Sequence, residues 1–211
     1  MGKIDTGILG GFKGKVGTVV GGKWRGVEYM RSKGPSKRKN NSPAQLEQQA
    51  KFALAVSFVR NMSDLFKITF KNYAQQMTAR NKALAGTITK AITGVYPDFT
   101  IDYSQVLISR GGLKVELSPT LSVTGGTINW QWTFNGNQNG ANPKDRTIVV
   151  VYCPDFEHCL YQVYGPTRES NGASLDVSPF SGHTVFTWLA FISEDGSKIS
   201  KSLFTGQVAV E

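Results

Sequence analysis

The hydrophobic periodicity of the chain changes near Thr100, and this change limits the possible folds more than any other feature of the sequence. Between Leu46 and Phe66, apolar residues recur at the three- and four-residue spacing of a helix. After Thr100, apolar and polar residues alternate in short segments that are separated by turns. We therefore predict an α+β protein in which helices precede an antiparallel β-sandwich.

The helical region is predicted over residues 42–95. Pro43 suits the first turn of a helix, because its fixed φ is already helical and its missing N–H would have no partner there. A second helix is expected to begin near Ile68 or Lys71 and to run to about Thr89. The two segments predict a helical hairpin or one long kinked helix.

Residues 96–211 are predicted to form the sandwich, with an immunoglobulin- or fibronectin-like arrangement of strands. Gly94 and Pro97 are expected to end the helical region that precedes the sandwich. Trp130 and Trp132 would share one face of a strand, which suits a buried core better than an exposed carbohydrate platform. The candidate strands are 105–110, 113–117, 127–134, 146–153, 159–164, 172–176, 184–193 and 198–210.

Residues 1–41 are rich in glycine and in lysine or arginine, and we predict that they form a basic β-arm with an exposed connector. Apolar residues are interspersed with the glycines, which is not typical of a flexible linker. Segments 15–20 and 23–32 are predicted as two strands, with Gly21-Gly22 as the turn between them.

In the second of these strands, Trp24 would share a face with Glu28 and Met30, and Val27 and Tyr29 would lie on the other face. Neither face is fully apolar, and an isolated two-stranded hairpin is only marginally stable in water. The arm therefore needs a surface to pack on, and we expect that surface to belong to another copy of the chain. The predicted assembly interface consists of Val19, Val20, Trp24, Val27, Tyr29 and Met30.

The formal charge of the chain is +9, and it is distributed unevenly. Residues 1–42 carry ten basic and two acidic side chains, residues 43–95 carry seven and two, and residues 96–211 carry seven and eleven. This asymmetry indicates either a polyanion or the acidic face of a neighbouring subunit as the partner of the N-terminus. The candidate polyanion-binding residues are Lys13, Lys15, Lys23, Arg25, Arg31, Lys37, Arg38 and Lys39.

The sequence gives little support for catalysis. The Gly-rich start contains neither a P-loop nor a dinucleotide-binding pattern, and His158 and His183 belong to no recognisable Ser-His-Asp set. Cys153 and Cys159 are expected to be free, mostly buried thiols, with a small disulfide-closed loop as the alternative. Their spacing does not fit a structural zinc site. We therefore expect no enzymatic activity, no cofactor and no metal.

The N-terminus lacks the apolar region of a signal peptide, and no apolar run is long enough to span a membrane. We therefore expect cytoplasmic synthesis, with a final place either there or in a virus-like or extracellular assembly.

Several segments of the chain, taken in order and spacing, resemble an uncharacterised family from Bacteroidota, domain of unknown function 6266. They are "GKVGTVVGGKWRG" with "RSKGP", "SPAQLEQQAKFALAVSFV", "NKALAGTITKAITGVYPDFTIDYSQVLISRGGL" and "TWLAFISEDGSKISKSLFTG". The resemblance covers most of the chain but implies no catalytic residues. The last segment also resembles the closing hairpin of fibronectin-type or immunoglobulin-like modules, which usually bind or build.

Together these features predict a non-enzymatic structural subunit that assembles with copies of itself through its arm, as in a virion, tail or filament. Nucleic-acid binding, such as packaging, is one alternative, because Trp24 and Tyr29 could stack on bases among the cations. An adhesion or carbohydrate-binding module is the other alternative.

Overall fold

The computed structural model describes residues 2–4, 10–34, 41–74, 77–115, 118–134 and 140–211. This part of the chain contains three α-helices and four antiparallel β-sheets, so the prediction of an α+β protein is confirmed. The chain divides into two compact units, Met1–Pro43 and Ala44–Glu211. Among the described residues, no helix has both the length and the apolarity that a membrane crossing requires.

The first unit contains a four-stranded antiparallel sheet, which we call the N-terminal sheet. Its strands are β1 (Lys3–Ile4), β2 (Phe12–Val16), β3 (Val19–Trp24) and β4 (Val27–Ser32), and they pair in sequence order. Two-residue turns join β2 to β3 and β3 to β4, and each contains a glycine with positive φ, Gly17 (58°) and Gly26 (89°). Tight hairpin turns need such backbone, which glycine adopts without steric strain.

The predicted turn at Gly21-Gly22 is wrong, because both glycines lie within β3. There they are paired with Met30 and Tyr29 of β4. A Cβ on Gly21 would meet the backbone and ring of Phe12. A Cβ on Gly22 would lie 2.9 Å from Cζ of Tyr29. These glycines therefore admit neighbouring groups close to the strand and do not reverse the chain.

Three helices follow: α1 (Pro43–Arg60), α2 (Ser63–Thr69) and α3 (Ala79–Lys90). The first helix begins at the predicted proline. The second predicted helix is divided, since a short 3-10 turn follows α2 and a new cap starts α3. In that cap, Thr78 Oγ1 accepts a hydrogen bond from the N–H of Asn81. The predicted pair of helices is therefore replaced by three.

A short hairpin of β5 (Ile92–Val95) and β6 (Asp98–Ile101) follows α3, and its turn contains a cis Tyr96-Pro97 peptide bond. The prediction treats Gly94 and Pro97 only as the end of the helical region. In the structure Gly94 has a φ of 91° and lies within β5. The glycine and proline signals therefore mark a hairpin as well as the end of a helix.

The remaining strands are β7 (Thr120–Thr124), β8 (Thr127–Gln131), β9 (Arg146–Cys153), β10 (His158–Thr167), β11 (Gly172–Asp176), β12 (Thr184–Ile192) and β13 (Leu203–Ala209). A four-stranded antiparallel sheet has the order β10-β9-β12-β13, and a three-stranded one has the order β11-β8-β7. The predicted segments 146–153 and 172–176 coincide with β9 and β11. Four further predicted segments overlap β8, β10, β12 and β13.

Within the described residues, the predicted strands 105–110 and 113–117 do not form. Strand β7 is not predicted, although its Leu and Val alternate with Ser and Thr. Residues 105–110 lie outside the named strands, and at Ile108 side chains satisfy both backbone groups. The N–H of Ile108 donates to Ser202 Oγ (2.8 Å), and its carbonyl accepts from Thr69 Oγ1 (2.8 Å). The described part of 113–117 contributes only an isolated bridge.

Strands β9 and β12 are buried on both faces. On one face, Ile148, Val150 and Trp188 belong to a hydrophobic cluster with side chains of the three helices. On the other face, Val149 and Leu189 belong to a cluster with side chains of β8. The four-stranded sheet is therefore the middle of three layers, between the helices and the three-stranded sheet. Helices and C-terminal strands share a core within the second unit.

Candidate interaction surfaces

Cross-strand pairing fixes which side chains share a face of the N-terminal sheet, because paired residues of antiparallel strands point to the same side. Trp24 is paired with Val27 across the turn between β3 and β4, and the same side continues through Tyr29. We call this surface the aromatic face. Its side chains include Lys15, Val20, Trp24, Val27, Tyr29 and Arg31.

Trp24 therefore lies on the same face as Val27 and Tyr29, and the prediction that it shares a face with Glu28 and Met30 is wrong. The reason is the turn at residues 25–26, which the prediction placed inside a continuous strand. A two-residue reversal at this point sets Trp24 directly opposite Val27 and changes which side chains lie together.

The aromatic face is open in this structure. Trp24, Tyr29 and Val27 are exposed over 56%, 46% and 68% of their surface. Lys15 and Arg31 on the same face are also exposed. Large apolar side chains exposed together beside cations are typical of a surface that binds another molecule.

The opposite face of the N-terminal sheet carries Val19 and Met30, the other two members of the predicted assembly interface. The middle of this face is covered, since Gly21 is buried and Phe12 lies against it. The six predicted interface residues are therefore divided between two faces, with four of them on the aromatic face.

Strand β4 forms one edge of the N-terminal sheet. In the described part of the chain it pairs only with β3, and all six of its residues are exposed. An exposed edge strand offers unpaired backbone N–H and C=O groups to another strand. Met30, which is 71% exposed, adds an apolar side chain to this edge.

Five of the eight predicted polyanion-binding residues lie in the described part of the chain. Lys23 has an acidic partner, with 3.7 Å between its Nζ and Oε1 of Glu28. The described members of the set, all of them exposed, are Lys13, Lys15, Lys23, Arg25 and Arg31. The remaining three, Lys37, Arg38 and Lys39, lie outside the described residues.

Trp130 and Trp132 do not form an exposed platform, because both are buried. Trp130 Nε1 donates to Thr205 Oγ1 (3.1 Å), and Trp132 Nε1 donates to the carbonyl of Arg168 (2.9 Å). Their polar atoms are thus satisfied inside the fold, as buried tryptophans require. These two tryptophans therefore cannot form the aromatic platform of a carbohydrate-binding module.

One cluster of potentially reactive side chains joins Cys153, Asp155 and His183, whose ligand atoms all lie within 4.8 Å of one another. His183 Nδ1 and Asp155 Oδ2 are 2.6 Å apart. Cysteine, histidine and aspartate also occur together in cysteine hydrolases. Cys153, however, is fully buried, which leaves a substrate no access to its thiol. Zinc sites with three protein ligands of these types leave the fourth position to water or substrate, so this trio could hold Zn²⁺.

The sequence prediction missed this cluster because His183 lies far from Cys153 and Asp155 in the sequence. The pairing of β9 with β12 instead brings His183, which directly precedes β12, beside the turn that follows β9. The strand register is a long-range property, so a sequence signal for this proximity would have required correct pairing of the two strands.

Comparison with known protein families gives one match. A family model described as "Family of unknown function (DUF6266)" matches residues 11–206. The chain belongs to the DUF6266 family. This confirms the resemblance to domain of unknown function 6266. A search of curated proteins finds no match to the chain.

The DUF6266 match begins before β2 and ends within β13, so it includes strands of both compact units. The strands β2 to β4 of the N-terminal sheet are therefore part of what defines the family. They are not an appendage specific to this chain.

Proposed function

We propose that the protein is a non-enzymatic structural subunit that assembles with copies of itself through the N-terminal sheet, as a component of a virion, tail or filament. The observation that carries this proposal is the aromatic face. Trp24, Val27 and Tyr29 are exposed there together, next to the open edge strand β4. A face and an edge of this kind are the two elements that strand addition to a neighbouring sheet uses.

A second copy of the chain is the occupant that the charges favour. The N-terminal residues are strongly basic, whereas residues 96–211 carry a net charge of −4. Glu194 and Asp195 are exposed in the turn after β12. The pKa of Asp195 is lowered to about 2, chiefly by the hydrogen bond from Ser193 Oγ, so this carboxylate stays charged. Complementary charges of this kind support a head-to-tail contact between copies.

We further propose that β7 to β13 form an immunoglobulin- or fibronectin-like β-sandwich. The support is the cluster of buried side chains shared by the three- and four-stranded sheets. Sandwiches of this type commonly serve as building or binding modules. In the proposed assembly, the sandwich and its helices form the body, and the N-terminal sheet forms the contact.

Nucleic-acid packaging is the second candidate, and one observation favours it. Lys15 and Arg31 lie on the same face as Trp24 and Tyr29. Proteins that bind single strands without sequence preference combine cations for the phosphates with aromatic rings on which bases stack. On this alternative, the partner of the aromatic face is a nucleic acid.

The two candidates are separated by measuring the mass and the nucleic-acid content of the purified full-length protein. Light scattering after size exclusion should give a mass well above the 23.0 kDa of one chain, with no nucleic-acid absorbance. Electron microscopy of the same fractions should show regular particles or filaments. A monomer across the micromolar range would overturn self-assembly, and co-purifying nucleic acid released by nuclease would favour packaging.

A further inference from the structure

A cavity of about 300 Å³ opens on the second unit. Its walls come from three parts of the chain: the segment from Phe70 through α3, the segment 105–111, and the segment before β13. Four basic side chains line it, namely Lys82, Lys90, Arg110 and Lys201. Among the described residues that line it, none is acidic.

This arrangement differs from that of other lysines in the helices. Lys51 lies 2.7 Å from the carboxylate of Glu47, and Lys67 lies 2.7 Å from that of Asp64. The described residues provide no such ion pair for the four cations of the cavity. Like charges that surround one space repel one another, and an anion in that space would relieve the repulsion.

Arg110 contacts an aromatic ring at the cavity. Its guanidinium carbon lies 4.7 Å from the centre of the Tyr73 ring. A guanidinium stacked on an aromatic ring keeps its N–H donors directed outward in one plane. Such a planar group matches the oxygens of a phosphate, with which arginine forms paired hydrogen bonds. The ring contact therefore favours a guanidinium orientation that suits an oxyanion.

Gly86 also lines the cavity. It lies in the middle of α3, where glycine is less favourable than alanine because it loses more backbone entropy. A Cβ on Gly86 would meet nothing within 4 Å, so close packing does not require the glycine. Because Gly86 lines the cavity, the missing side chain leaves additional room there.

We propose that this cavity binds a phosphate group, carried either by a small phosphorylated molecule or by a nucleic-acid backbone. Arg110 provides the directed donors, and Lys82, Lys90 and Lys201 provide the surrounding positive charge. The volume is at the lower end of the range for small-molecule pockets, which suits a phosphate or diphosphate with a small attached group. This site does not depend on the aromatic face or on self-assembly.

The test measures binding of pyrophosphate and of a short thymidine oligonucleotide to the full-length protein by calorimetry, at low and at moderate salt. Pyrophosphate should bind saturably with one site per chain. Arg110→Met should weaken it about tenfold or more, since a hydrogen bond to a charged group is lost. The matched control is Lys67→Met, which removes the same charge from α2 and should leave the affinity unchanged.

The outcomes distinguish the two phosphate sources. If the oligonucleotide binds, is displaced by pyrophosphate and is lost in Arg110→Met, the source is a nucleic-acid backbone. If only pyrophosphate binds, the source is a small molecule. Absence of saturable binding, or equal weakening by Lys67→Met, would overturn the site. If Arg110→Met fails to fold by circular dichroism, Lys201→Met replaces it, and unchanged pyrophosphate affinity in that variant would equally overturn the site.

Discussion

Arg168 and Asp145 form an ion pair inside the second unit, with 3.4 Å between Nε and Oδ2 and with side chains that are 1% and 3% exposed. The guanidinium also donates from Nη2 to the carbonyl of Lys114 (2.6 Å) and lies 3.8 Å from the centre of the Phe191 ring. Asp145 Oδ2 accepts from the N–H of Asn142 (2.9 Å). The pair thus connects the segment before β9 with the segment between β10 and β11.

Arg168→Met should destabilise the protein by about 3–5 kcal/mol, because it leaves the Asp145 carboxylate buried without its cation. Urea unfolding of the variant and of the wild type measures the difference in the free energy of unfolding. Asp64→Asn, which breaks the exposed pair with Lys67, is the control and should have little effect. If both substitutions had the same small effect, the buried pair would not be a structural link.

Trp24→Ala should dissociate the proposed assembly and leave the thermal unfolding of the second unit nearly unchanged. Removing a large aromatic anchor from an interface costs on the order of 2 kcal/mol or more, which corresponds to roughly thirtyfold weaker association. Analytical ultracentrifugation measures the association, and calorimetry measures the unfolding. Tyr161→Ala, in an exposed part of β10, is the matched control and should leave the assembly intact.

Two other results for Trp24→Ala would contradict the proposal in different ways. Global unfolding would place Trp24 in a core of the chain itself. Unchanged association and stability would mean that the aromatic face is not the contact.

Replacing both Lys15 and Arg31 with alanine tests whether the aromatic face binds phosphates. If nucleic acid is the partner, the slope of log affinity against log salt concentration should fall by about 1.5, because two phosphate contacts are lost. We expect only modest, sequence-independent binding at low salt in the wild-type protein, in keeping with self-assembly as the proposed function. Tight binding with a strong sequence preference would reverse this ranking. A second variant with alanine at Lys37, Arg38 and Lys39 measures the contribution of the connector to the same salt slope.

Stability should fall at alkaline pH. Burial raises the pKa of the Tyr103 phenol to about 12, with a smaller contribution from Glu157, and burial also raises the pKa of Tyr152. The unfolded chain loses the Tyr103 proton near pH 10, whereas the folded chain retains it to about pH 12. The stabilisation is therefore complete below about pH 10 and is lost as the pH rises through the folded pKa.

Unfolding temperatures of the wild type and of Tyr103→Phe, measured across this pH range, should show a flatter alkaline decline in the variant. An identical decline in both would contradict this assignment.

Cys153 and Cys159 should resist thiol reagents in the folded protein, because both thiols are free and buried. They lie in adjacent strands but belong to the clusters on opposite faces of the four-stranded sheet, so a disulfide between them would require strand rearrangement. Burial also raises the pKa of the Cys159 thiol to about 11, which disfavours the reactive thiolate. Ellman titration should detect no thiols before unfolding and two afterwards. Rapid reaction without denaturant would contradict this burial.

Where the sequence predictions succeeded, the signal was local. The start of α1 at Pro43 follows from the geometry of a single residue, and β9 and β11 have the predicted bounds. The family could likewise be recognised from short segments in order. Such features depend on neighbours along the chain, whose effect on backbone conformation is visible in the sequence itself.

The candidate binding surfaces were less predictable, because they depend on strand register. The residues of the aromatic face were all noted in the sequence, but their grouping was wrong. Gly21-Gly22 has the composition of a turn, yet the chain reverses at 25–26. The two glycines instead lack the Cβ atoms that would clash with Phe12 and Tyr29. One misplaced turn changes which side chains share a face, since side chains alternate along a strand.

The sequence by itself therefore determined an α+β protein of the DUF6266 family, with a basic N-terminus, helices and then strands. Only the tertiary structure decided that β9 and β12 are buried on both faces and that helices and strands share a core. Only the tertiary structure likewise gathered Lys82, Arg110 and Lys201 around one cavity. The physical reason is that local propensities act between residues close in sequence, whereas burial and electrostatic grouping arise from segments far apart that pack together.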